Sequence, residues 1–180
     1  MLLEPTSKVI LNHIQSLQPA QDDVLLLLFA EQDVPDIPAL IDALNEMGIA
    51  FFGGVFPGLI WGNQHIKSGC IIKKFKAMMT PFCITGIAST QLSGMPQFSA
   101  TGLTDKSTAI VLLDGLTPNI YRFLEELNDL LGEQCHFIGG GAGSISLKQQ
   151  RCVFANCGLH KDAAVVCVID KQISLGVRHG

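Results

Sequence analysis

The chain alternates short, dense apolar runs with longer stretches in which apolar residues recur at helical spacing, and these two periods place most of its elements. Val24-Leu25-Leu26-Leu27-Leu28-Phe29 is an unbroken apolar run of strand length, the pattern of a strand covered on both faces. Ile37, Leu40, Ile41, Leu44 and Met47 follow at helical spacing, and Gly48 ends that segment. Ala50-Phe51-Phe52 then opens a second strand that runs into Gly53-Gly54. Ahead of all this, Ser7–Leu17 predicts a short helix with Val9, Ile10 and Ile14 on one side. Pro35, Asp36 and Pro38 crowd the start of the second helix and leave its first residue open.

The same order returns 86 positions later, without a gap. Val24 maps to Ile110, which opens Ile110-Val111-Leu112-Leu113, and Ile37, Ile41 and Leu44 map to Phe123, Leu127 and Leu130. Phe51-Phe52-Gly53-Gly54 maps to Phe137-Ile138-Gly139-Gly140. Thr117 and Pro118 predict the N-cap and first turn of the later helix. Gly69-Cys70-Ile71-Ile72 corresponds to Ala163-Ala164-Val165-Val166 at an offset of 94, and Thr85-Gly86-Ile87 to Leu175-Gly176-Val177 at 90. Ser89–Asp105, rich in Ser, Thr, Gly and Pro, reads as the loop between the units. The expected fold is an α/β domain, internally duplicated. Each unit (about 20–88 and 106–178) is a right-handed strand-helix-strand crossover, a glycine-rich bend and two or three antiparallel strands. Together they make a mixed sheet, or two packed half-sheets, with pseudo-two-fold symmetry.

Composition narrows the function. The chain is 48% hydrophobic and 16% charged, too apolar for a disordered segment. A net charge of -4 with no Lys/Arg run excludes a nucleic-acid footprint. No apolar run approaches the roughly 20 residues of a membrane span, and Met1–Pro5 lacks the pattern of a signal peptide, so a cytoplasmic location is expected. The six cysteines include no Cys-x-x-Cys pair and read as free thiols. Low charge also predicts an apolar face covered by something else: more of the chain, a partner, or a second copy in a homo-oligomer.

Two glycine runs stand at the C-terminal ends of apolar strands, where open α/β sheets bind ligands: Gly53–Gly58 and Gly139–Ser144. Neither is a phosphate motif. Ser144 stands where a dinucleotide fingerprint needs Gly or Ala, and no Gly-Lys-[Ser/Thr] ending occurs. The runs therefore read as bends, either structural only or lining a ligand with their backbone N–H groups. Gly53, Gly54, Phe56, Pro57, Gly58, Gly139, Gly140, Gly141 and Ser144 are the candidate ligand-binding residues. Phe56, Pro57, Ile60 and Trp61 either wall an apolar cleft or pack between the units. For catalysis, Ser144 is the best-placed hydroxyl but lacks a Gly-x-Ser-x-Gly elbow, and Cys157 with His160 makes a Cys–His pair in a hairpin loop. No two histidines lie at ligand spacing, so a metal site would need long-range convergence.

The chain from about residue 20 to 178 resembles the N-terminal domain of the FIST family, sensory modules of mostly bacterial signalling proteins. Phe137–Ser144, Val153-Phe154-Ala155-Asn156 and Asp162-Ala163-Ala164-Val165-Val166 carry the resemblance, with Leu26–Ala30, Phe52-Gly53-Gly54 and Gly58 in the first unit. Cys157 and Ala163 depart from it, each standing where the family usually has Gly. The resemblance implies a single non-catalytic domain over 1–180, without the C-terminal domain that usually follows. It implies signalling through a partner domain or protein, with no cofactor and a small metabolite such as an amino acid as ligand. Three alternatives stand beside it: a haem-based nitric oxide sensor with His65, His160 or His179 as axial ligand; a hydrolase using Ser144 or Cys157; and an assembly scaffold.

Overall fold

Alternation along the long strands sets the layers. In the computed structural model, which describes residues 1–2, 4–89, 91–96 and 103–173, strand β1 (Asp23–Ala30) turns Leu25, Leu27 and Phe29 to one face and Val24, Leu26 and Leu28 to the other. Helices α1 (Ser7–Ser16) and α2 (Ile37–Glu46) cover the first face with Ile10, Ile14, Ile37, Leu40, Ile41 and Leu44. The second face meets Ile110 and Leu112 of β7 (Ser107–Asp114) and Val165, Cys167 and Ile169 of β11 (Ala163–Asp170). The intervening residues of those strands, among them Val111, Leu113, Val166 and Val168, pack under Phe123, Leu127 and Leu131 of α3 (Ile120–Leu131). The protein is therefore a mixed α/β sandwich: two sheets face to face, with helices outside each. Full burial of each Leu, Ile or Phe contributes about 1.5–3 kcal/mol relative to exposure. A one-residue slip would turn each strand's core residues to the wrong layer.

The first sheet runs β10 (Gly158–His160), β9 (Val153–Ala155), β2 (Ala50–Phe56), β1, β5 (Cys70–Lys76). The second runs β6 (Phe82–Thr85), β11, β7, β8 (His136–Ala142), and a separate ribbon joins β3 (Leu59–Trp61) to β4 (Gln64–Ile66). Among the described strands, β1–β2 and β7–β8 are the parallel pairs, each joined through a helix. Edges are exchanged between the halves of the sequence. β6, from the first half, pairs with β11 (Cys83 opposite Val165), while the β9–β10 hairpin, from the second, joins β2 (Phe52 opposite Ala155). Neither half completes a sheet by itself.

Three sequence expectations need correction. Gly53-Gly54 and Gly139–Gly141 are not bends: they lie inside β2 and β8 in extended conformation. The reason is close approach. A side-chain carbon at Gly53 would collide with the Leu27 carbonyl and the Phe154 ring, and one at Gly139 with the Val111 carbonyl. The chain leaves β8 only at Gly143, whose φ of 151° suits glycine. Second, the units are not in step without a gap. Val24 pairs with Ala50, 26 positions on, but Thr108 with His136, 28 on, so the second crossover is two residues longer. Third, Thr117 is not the cap of α3. That position falls to Asn119 at φ 64°, without a side-chain cap, because the Thr117 hydroxyl donates to the Asp162 carboxylate. The start of α2, left open by the sequence, is set by Asp36, which accepts from Ala39 N at 3.1 Å. The segment Leu175–Val177 lies outside the described residues.

Candidate functional site

The C-terminal ends of β1, β2, β7 and β8 meet at one end of the sandwich. Glu31 N donates to Phe56 O and Gly143 N to Val55 O, both at 2.8 Å, and Gly115 N donates to Ala142 O at 2.9 Å. Here the chain places two carboxylates. Glu31 accepts from the Ser144 hydroxyl and, at 2.9 Å, from Ile145 N, and these bonds, the hydroxyl's first, hold its carboxyl below the usual range. Asp114, fully buried, accepts from Leu116 N at 3.0 Å and from Asp162 N and Gln149 Nε2 at 2.9 Å each. Among the described residues no buried side-chain nitrogen or oxygen lacks a partner. This polar end fastens loops to strand ends.

Behind it lies an apolar cleft of about 350 Å³ between the two sheets. Leu26, Leu28, Phe56 and Phe75 line it from the first sheet, and Ile110, Leu112, Ile138, Gly139 and Gly140 from the second. A second hollow, about 430 Å³, lies between β8 and α3 and shares Ile138, Gly139 and Gly140 with the first. Both are lined by apolar side chains and glycine alone. Between them runs β8, the last strand of its sheet, with Gly139–Gly141 exposed and no partner strand on its outer side among the described residues. Among the described residues, the glycines thus leave backbone hydrogen-bonding groups without a strand partner beside two apolar hollows.

The candidate ligand residues fall into several places. Phe56, Gly139 and Gly140 line the inter-sheet cleft, and Gly141 lines only the second hollow. Gly54 sits behind Phe56, against Ala142, whereas Gly53 faces Phe154 on the helix side. Pro57 is exposed, and Gly58 lies under the His65 ring. Ile60 and Trp61, 77% and 50% exposed on β3, line neither hollow. Ser144 is buried, and its hydroxyl is bound to Glu31 and Ser146 rather than to a histidine. Cys157 and His160 do meet, Sγ to Nε2 at 3.6 Å, with Cys83 beside them. Neither His65 nor His160 lines either hollow, and His179 lies outside the described residues.

Leu26, Leu28, Phe75 and Ile138 line the cleft unannounced, since sequence marks them only as strand residues. Glu31 had one usable signal: an acid directly after a buried parallel strand.

Residues 24–180 match the family model described as the FIST N domain. No curated protein and no solved structure matches the chain. No helix among the described residues is long and apolar enough to cross a membrane.

Proposed function

Because this chain belongs to the FIST family through its N domain, a sensory domain of signal transduction, we propose that it binds a small molecule in the cleft between its sheets. The observation that carries the reading is the junction of apolar walls from both sheets with the exposed glycine edge of β8. Such a site suits a ligand with an apolar body and one hydrogen-bonding end. An apolar amino acid or a metabolite of similar size meets that description, its carboxylate held by backbone N–H groups at Gly139–Gly141. No charged side chain lines the cleft, so an ammonium group would stay at the solvent rim. A ligand gripping both sheets would favour one spacing between them, and that difference is what a partner domain or protein would read.

A thermal-shift screen of apolar amino acids, their keto acids and short fatty acids tests this. A ligand at 100 times its Kd adds about 2.7 kcal/mol of stability. A side-chain carbon at Gly140 meets nothing within 4 Å, so Gly140→Val should fold normally and lose about tenfold or more in affinity. A hit that binds Gly140→Val as well as the unchanged protein would move the site elsewhere.

A further inference from the structure

We propose that Cys83, Cys157 and His160 form a three-ligand site for a thiophilic d10 cation, Zn2+, which pins the edge of one sheet to the edge of the other. Cys83 lies on β6, the edge strand of the second sheet. Cys157 and His160 lie on the turn and outer strand of the β9–β10 hairpin, the opposite edge of the first. Residues separated by more than 70 positions thus meet, their ligand atoms all within 4.8 Å of one another. The one spacing fixed individually matches a metal centre. A tetrahedral ion about 2.3 Å from sulfur and about 2.1 Å from nitrogen holds those two atoms about 3.6 Å apart. Cys157 Sγ and His160 Nε2 are 3.6 Å apart.

Local structure builds the arrangement. Asn156 fixes the hairpin turn, accepting from Phe51 N at 3.0 Å and donating to Ile49 O and Asn45 Oδ1 at 2.8 Å each. Gly158, at φ 123°, takes a backbone conformation that suits glycine between Cys157 and His160. Cys157 is exposed, so an ion reaches the group from solvent and a water or small ligand can take the fourth position.

Both cysteines bind as thiolates, so each thiol proton leaves to solvent as its sulfur–metal bond forms. Two thiolates with an imidazole select Zn2+ over hard cations such as Mg2+ or Ca2+. A disulfide between the two cysteines would leave His160 without a part.

The test uses the full chain, reduced with a non-thiol reductant. Zn2+ is titrated against a chromophoric chelator, and Co2+ is titrated in parallel for its spectrum. Expected are one ion per chain, thiolate-to-Co2+ charge-transfer bands with tetrahedral d–d bands, proton release on binding and a raised Tm. Cys83→Ser, Cys157→Ser and His160→Ala should each weaken binding by at least about 10–100-fold, the loss already typical of residues one layer out from a metal. His65→Ala should bind as the unchanged protein does, and circular dichroism checks that each variant folds. Absence of charge-transfer bands, or bands of undiminished intensity at unchanged affinity in Cys83→Ser, overturns the proposal. So does failure to bind Zn2+ together with rapid Cys83–Cys157 disulfide formation under mild oxidant, which would make the pair redox-active instead.

Discussion

Glycine acts in this protein by what it leaves out. At Gly139 the missing side chain lets β8 close on the Val111 carbonyl, while at neighbouring Gly140 nothing stands within 4 Å. Gly139→Ala should therefore destabilise by about 1–3 kcal/mol, the usual effect of overpacking, and Gly140→Ala should be near neutral in the same urea titration. Acidic residues act by what they hold. Asp23 is drawn down to about 2, first by Ala20 N at 2.7 Å and then by Lys76, which stands 3.1 Å away. An unfolded Asp titrates near about 3.9. The folded value is the lower one, so Asp23's contribution is complete above about pH 4 and disappears as pH falls from there through about 2. Melting curves should show Tm dropping more steeply over that window in the unchanged protein than in Asp23→Asn. These residue roles were only half visible in the sequence. The glycines stand out as unusual, but whether a glycine bends a strand or admits a neighbour depends on atoms far away in the chain.

Among the elements, α2 and the β9–β10 hairpin make the sharpest contrast. α2 is local. Its apolar spacing, Asp36 cap, early Pro38 and terminal Gly48 all lie within twelve or so residues and agree with one another. Asp36→Ala should lower stability by about 1 kcal/mol by chemical denaturation, in line with other lost caps. The hairpin is short, and its place depends on Asn156, whose side chain bridges Phe51 N, Ile49 O and Asn45. Asn156→Ala leaves those groups to find other partners. We expect a loss of about 1–3 kcal/mol, with faster hydrogen exchange at Gly158–His160 than in α3. Sequence periodicity finds three-residue strands such as β9 poorly, because a run that short carries hardly one full alternation.

For the whole molecule, layering follows from composition, but pairing does not. Val24–Phe29, Ile110–Leu113 and Ala163–Ile169 are apolar throughout, and a strand with no polar face must be covered on both sides. A sandwich of two sheets with outer helices does this, leaving a cleft where Leu26, Leu28 and Phe75 stand only partly covered. The family, the strand-helix-strand order and the number of long buried strands were legible from residues alone, because each depends on neighbours within about one turn or one strand. The exchange of β6 and β9–β10 between the sheets was not. Nor was the meeting of Ser144 with Glu31, or of Cys83 with Cys157 and His160. Those contacts join residues many tens of positions apart, and no periodicity records them: only the closing of one sheet over the other brings such side chains within bonding distance.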